Sequence, residues 1–240
     1  MKHSEGRERL TLDNKNDMGG LVVRNRDFGP IKARGCGISV GPKGFKSRSY
    51  FENCTFSDVR ADSCVLGFPI FRNCVFRNVK TDFLDTYRTL FLACKLEGII
   101  ARVMFGLQPK LVLTSSVIDP KLMEESKRLL SQVPFSLDVR DAVLVDVGFF
   151  GQEIIPYILF NPGQCVIYRG ENITEKLTAL GRSISDQALQ GALLGCSCRK
   201  HERMAMVSLE GCGASERVSE LREIVSSVGI ELLDHPMVKL

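Results

Sequence analysis

The sequence predicts an α+β chain: a short β-helix, meaning a coil of stacked short strands, followed by a small α/β domain. Three observations carry this. From Phe51 to Leu111 a five-residue beat marks Phe51, Phe56, Ala61, Leu66, Phe71, Phe76 and their successors. Helices repeat near 3.6 residues and strands near 2, so this beat belongs to neither and fits a chain that turns a corner every five residues. Second, Phe51–Val59, Phe71–Val79 and Phe91–Ile99 are copies offset by twenty, sharing an aromatic, a cysteine two places before the next large residue, and a β-branched close. Repeats of this period imply stacked units that bury their apolar sides on one another. Third, apolar runs of strand length alternate with helical spacing after residue 135.

Four parts follow: residues 1–30, a polar arm and leading strand; 31–118, the β-helix-like repeat; 119–134, a capping or linker helix; and 135–240, the α/β domain. In the arm, residues 1–20 are polar, and Leu21-Val22-Val23 reads as a strand. Gly29–Gly44 is rich in Gly and Pro, giving turns around a strand from Gly37 to Val40. In the repeat, small or β-branched residues sit two before the beat, at Cys54, Val59, Cys64, Cys74, Val79, Cys94 and Ile99. They are expected to fill corners while Phe and Leu form the interior columns.

These residues resemble pentapeptide-repeat proteins, on Cys54/Phe56, Cys64/Leu66, Cys74/Phe76 and Cys94/Leu96. The resemblance covers about 60 residues. It implies a right-handed quadrilateral β-helix with four sides per coil. Thr81, Thr86 and Gly106 depart from the large central residue, and Pro69 stands where a small residue is expected. Some members mimic the DNA duplex and protect type II topoisomerases, which requires a long acidic coil. Residues 46–119 hold ten Lys and Arg against seven Asp and Glu, the wrong sign for that role.

Lys110–Ile118 reads as a strand. Asp119-Pro120 then opens a helix, Asp as N-cap and Pro at the first position. Leu122, Met123, Leu129, Leu130 and Val133 fall on one side of it, and Pro134 stops it. Further strands are expected over Ala142–Phe149, Ile154–Phe160, Cys165–Tyr168 and Met204–Leu209. Asn172 with Glu175 forms a capping-box pattern before a helix carrying Leu177. A second stretch runs through Leu189 and Leu193. Ser215 caps a last helix with Val218, Leu221 and Val225 inward, and Gly229 occupies the left-handed C-terminal position. Ile230–Leu233 closes as a strand.

Composition bounds function. No run approaches the roughly 18 apolar residues that span a bilayer. The charged start, Met1–Asn16, lacks an apolar signal stretch, so a cytoplasmic protein is expected, with its nine cysteines reduced and buried as small core residues. The net charge of +4 hides an asymmetry. Residues 1–134 carry 22 Lys and Arg against 14 Asp and Glu, and residues 135–240 carry 10 against 14. A basic first half favours an acidic partner or contact between the halves.

Catalytic signatures are thin. Gly37-Ile38-Ser39-Val40-Gly41 matches the serine-hydrolase elbow in letters, but Pro42 and Gly44 oppose the helix that must follow. Cys196, Cys198 and His201 lie close enough for a metal or a thiolate nucleophile, yet a structural zinc needs a second ligand pair. Asp138, Asp141 and Asp146 read as the solvent side of a strand pair. His235 reads as a surface residue of the tail. No cofactor or metal is expected, and the balance falls against an enzyme. The expected function is a non-catalytic protein-binding protein with a rigid coil face, in one setting an immunity-type protein neutralising a toxin. The alternatives are an enzyme around Cys196, Cys198 and His201, or a topoisomerase-protecting protein. Arg72, Arg77, Phe83, Tyr87, Arg88 and Arg102 are the expected partner-binding residues, since Arg and aromatics on a rigid rib anchor interfaces. Phe68 is a further candidate for exposure. A membrane or nucleic-acid partner is disfavoured, there being no Lys/Arg-dense stripe with interleaved aromatics.

Overall fold

A computed structural model of the chain describes residues 8–13, 20–38, 48–87, 89–106, 120–145, 147–150, 157–168, 173–181, 190, 204–208 and 214–233. The strands of the first half are β1 (Glu8–Asp13), β2 (Val22–Arg24), β3 (Asp27–Arg34), β4 (Gly37–Ile38), β5 (Tyr50–Glu52), β6 (Thr55–Asp62), β7 (Cys64–Leu66), β8 (Ile70–Arg72), β9 (Val75–Tyr87), β10 (Leu90–Leu92) and β11 (Cys94–Gly106). Helix α1 (Pro120–Leu130) separates them from β12 (Leu137–Val145), β13 (Gly148–Phe150), β14 (Ile158–Leu159) and β15 (Gln164–Tyr168). Then come α2 (Ile173–Ala179), β16 (Met204–Ser208), α3 (Ala214–Ser226) and β17 (Glu231–Leu233).

These strands make three sheets. The largest runs β1-β3-β6-β9-β11-β12-β14, with β13, β4 and β7 paired off that path. A four-stranded sheet runs β10-β8-β5-β2. Every pairing in both is parallel. The third sheet, β16-β15-β17, is antiparallel.

The expected squared β-helix is therefore corrected to a sheet-rich α/β fold dominated by parallel sheets. A corner every five residues would break the chain into very short strands, whereas β9 and β11 each run for 13 residues. The beat has a different physical cause. The residue immediately before each of Cys54, Val59, Cys64, Cys74, Val79, Cys94 and Ile99 lies at positive φ: Asn53, Asp58, Ser63, Asn73, Asn78, Ala93 and Gly98. Asp58, Asn78 and Gly98 lie inside β6, β9 and β11 and kink them without ending them, whereas Asn53, Ser63, Asn73 and Ala93 stand in the gaps between consecutive strands. The ladder between β9 and β11 duly shifts between Glu97 and Ile100 and again between Ala101 and Val103.

The offset of twenty sets the register between neighbouring strands. Phe51 pairs Phe71, and Phe71 pairs Phe91. Phe56 pairs Phe76, which pairs Leu96 on β11. Rings within a ladder stack at 4.9 Å (Phe51–Phe71), 5.5 Å (Phe71–Phe91) and 5.1 Å (Phe56–Phe76). The two ladders meet edge to face, with Phe71 at 5.8 Å from Phe56 and 5.2 Å from Phe76. The large and four-stranded sheets thus share one core. Phe105 and Phe149 extend it, stacked at 5.2 Å.

Other expectations are met or amended locally. Helix α1 begins at Pro120 as predicted and buries Leu130, but it ends four residues short of Pro134. The segment read as a polar arm contains β1, paired to β3. Strands β12 and β14, expected in a separate domain, hydrogen-bond onto the large sheet. Helix α3 buries Val218, Leu221 and Val225 as expected. Gly229 sits at φ 70, where the amide of Ile230 reaches back to the Val225 carbonyl at 3.0 Å. The strand expected at 110–118 and the helical stretch through Leu189 and Leu193 lie outside the described residues.

Candidate protein-binding face

One side of the large sheet is buried against the four-stranded sheet, and exposed side chains stand on the other. Three basic residues stand in register there: Lys32 pairs Arg60, and Arg60 pairs Lys80. All three are exposed. No described residue forms an ion pair or side-chain hydrogen bond with any of them. Like charges directly opposite on neighbouring strands repel. The next row out behaves otherwise, because Arg34 pairs Asp62 with opposite sign.

The Lys80 row continues into aliphatics. Lys80 pairs Ala101, and Ala101 pairs Val145. Two residues back along the same strands, Ile99 pairs Val143. Ile99 and Val143 are each 39% exposed and Val145 45%, while the intervening Ile100, Ala142 and Leu144 point into the core. The alternation expected of a half-buried sheet therefore places an apolar patch beside a cationic row.

Of the expected anchors, Arg72, Arg77 and Arg102 stand off this row. Arg77 is tied to Glu97 on the next strand. Glu97 also meets Lys95 at 3.2 Å, and Lys95 meets Asp141 at 2.6 Å. The hydrogen bond from Arg77, helped by Lys95, holds the Glu97 carboxyl below its ordinary range. The bond to Asp141 raises the Lys95 ammonium. Arg77 is thus committed within the sheet. Arg72 is half-buried and beside Glu52 on the four-stranded sheet, away from the cationic row. Arg102 is exposed, but its φ of 57 falls in the register shift, one place off the row. Phe83 and Tyr87 belong to β9, with no side-chain description, and Arg88 lies outside the described residues. Phe68 is buried, its carbonyl accepting from Arg48 Nε at 2.8 Å.

Asp138 is buried, not solvent-facing as expected. Burial works to raise its carboxyl, but Arg140 outweighs that and holds it below the ordinary value, with Nε and Nη2 at 2.9 and 2.8 Å. Asp141 is exposed and bound to Lys95, so the two carboxylates serve separate ion pairs; Asp146 lies outside the described residues. Cys196, Cys198, His201, His235 and Ser39 also lie outside them. Cys36, Cys54, Cys64, Cys74, Cys94 and Cys165 are buried. The first five follow a positive-φ residue or Gly35 and donate to the carbonyl two residues back, as Cys74 does to Arg72 at 3.3 Å. Burial pushes the thiols of Cys54, Cys64 and Cys94 up, which disfavours the thiolate a nucleophile needs. Among the described residues no cluster of His, Cys, Asp and Glu is arranged to hold a metal, and no helix is long and apolar enough to cross a membrane.

The cationic row escaped sequence reasoning because its first step is 28 residues and its second twenty. The twenty-residue offset links Arg60 to Lys80 and was the signal available for that half. Comparison with family models, with curated proteins and with solved structures returns no match for this chain.

Proposed function

We propose that this chain is a non-catalytic protein-binding protein whose docking surface is the exposed face of the large sheet. The observation that carries the reading is the row Lys32–Arg60–Lys80, three cations in register with no partner among the described residues. Such an arrangement costs folding free energy in the free protein, and an acidic partner would relieve it. The side chains stand on a hydrogen-bonded parallel sheet, so little backbone entropy is lost when a partner arrives. An immunity-type protein that covers a toxin's active site is one form of this function. The resemblance to pentapeptide-repeat proteins enters this proposal only through its three in-phase copies. Its duplex-mimicking branch is not favoured, because the row is basic.

The test is capture from the native host with wild-type protein and with the Lys32→Glu/Arg60→Glu/Lys80→Glu variant. A stoichiometric partner retained by the first and lost by the second is the expected result. Wild-type protein that retains no partner, or turns over a substrate, would end the reading.

A further inference from the structure

Resting on that reading, we infer that the face takes an amphipathic helix of the partner, laid across the strands, acidic at one end and aliphatic at the other. The row itself supplies the geometry. Neighbouring strands lie about 4.8 Å apart, so Lys32, Arg60 and Lys80 span about 9.6 Å. On the same line Ala101 and Val145 follow at about 14 and 19 Å. A helix rises about 1.5 Å per residue, so positions three and seven residues on advance about 4.5 and 10.5 Å along its axis. Acidic residues at i, i+3 and i+7 therefore match the three cations. Apolar residues near i+10 and i+14 reach the patch of Ile99, Val143 and Val145. An extended strand presents same-side residues about 6.8 Å apart and runs out of step after two cations.

The aliphatic half decides between a protein and a nucleic acid. Single-stranded nucleic acid is held by aromatic faces on which bases stack. Phe51, Phe56, Phe71, Phe76 and Phe91 are taken up in the stacked ladders of the core, and the patch beside the cations is β-branched aliphatic. Valine and isoleucine match leucine-type side chains and offer nothing for a base. Charge complementarity with the row then requires acidic residues at the helix's other end.

The test uses a synthetic Ala/Gln-based helical peptide with Glu at positions 1, 4 and 8 and Leu at 11 and 15, followed by fluorescence anisotropy against the full chain. Saturable one-to-one binding that weakens with salt is expected. Lys32→Gln/Arg60→Gln/Lys80→Gln should weaken it by about tenfold, since exposed pairs contribute less than about 1 kcal/mol each. Val143→Ser/Val145→Ser should weaken it too, and replacing the peptide's Glu by Gln should abolish the salt dependence. All substituted positions are exposed, and cooperative thermal melts at or above the wild-type temperature for the Gln variant, and near it for the Ser variant, certify the variants as folded. No binding, binding that either variant leaves unchanged, or tighter binding of an oligo-dT strand overturns the inference. If the peptide fails while the host partner is still captured through the same three cations, only the helical geometry falls. If neither binds, the protein-binding reading falls with it.

Discussion

Gly98 occupies the left-handed region at φ 67, and a Cβ there would collide with Oδ1 of Asn78 on the neighbouring strand. That oxygen accepts the amide of Ile99 at 3.3 Å, while the Asn78 Nδ2 donates to Asp58 Oδ1 at 3.1 Å. Asp58, Asn78 and Gly98 thus form one column of kinks in which only Gly leaves room for the side chain beside it. Gly98→Ala is expected to destabilise the fold by about 1–3 kcal/mol, read from urea unfolding. Asp138 gives a residue-scale prediction in pH. Its folded pKa lies below the ordinary value, so the ionised form contributes stability that is fully present above about pH 4 and is lost as pH falls through the folded value. Glu97, lowered by Arg77 and Lys95, acts in the same direction. Asp138→Asn should be less stable than wild type at neutral pH and should lose less on acidification, measured as unfolding free energy against pH. The kinks were half legible: Asn and Asp before Cys or Val are visible, but their left-handed backbone is not, because the same residues also serve ordinary turns.

The element that organises the core is the paired phenylalanine ladder. Phe71 lies at its centre, stacked on Phe51 and Phe91 and edge-on to Phe56 and Phe76. Phe71→Ala is expected to cost about 3–5 kcal/mol, because the surrounding rings are held by the sheet and cannot collapse into the space. Phe28, half-buried at the ladder's start, should cost less when truncated, and comparing the two melting temperatures checks the order. On the opposite face Arg60 is flanked by like charges on both sides. Arg60→Gln should stabilise the free protein by about 0.2–1 kcal/mol, seen as a raised melting temperature that diminishes with added salt. The ladder from Phe51 onward was legible because equal spacing in sequence became equal height on neighbouring strands. Phe28, Phe105 and Phe149 were not, since they lie outside the equal spacing.

At the scale of the molecule, the second half joins the large sheet directly through β12, β13 and β14, and side-chain hydrogen bonds tie β15 of the antiparallel sheet to it. Gln164 on β15 donates from Nε2 to the carbonyls of Val139 and Ala142 on β12, at 3.2 and 3.3 Å, and its Oε1 accepts the Asn161 amide at 3.0 Å. Asn161 Nδ2 adds a bond to the Arg140 carbonyl at 2.8 Å. Gln164→Leu leaves two buried carbonyls without this donor and is expected to cost about 2–3 kcal/mol, with earlier proteolysis between β14 and β15 as the local sign. Nothing in the apolar pattern after residue 135 distinguished strands that extend the first sheet from strands that begin another. Both kinds present similar runs of Val, Leu and Ile, and the choice depends on which unpaired edge lies nearest in space.

Sequence alone determined the spacing: twenty residues between equivalent positions, small residues at regular intervals, a helix starting at Pro120, and the cap at Gly229. Each of these is a local property, set by side-chain size or by which backbone angles a residue tolerates. Tertiary structure alone decided that the five-residue beat marks kinks within some strands and breaks between others, that the two larger sheets are parallel, and that Lys32, Arg60 and Lys80 share a row beside Val143 and Val145. Those outcomes depend on hydrogen bonds between chain segments of unequal separation, and no periodicity in a single sequence encodes which segments will meet.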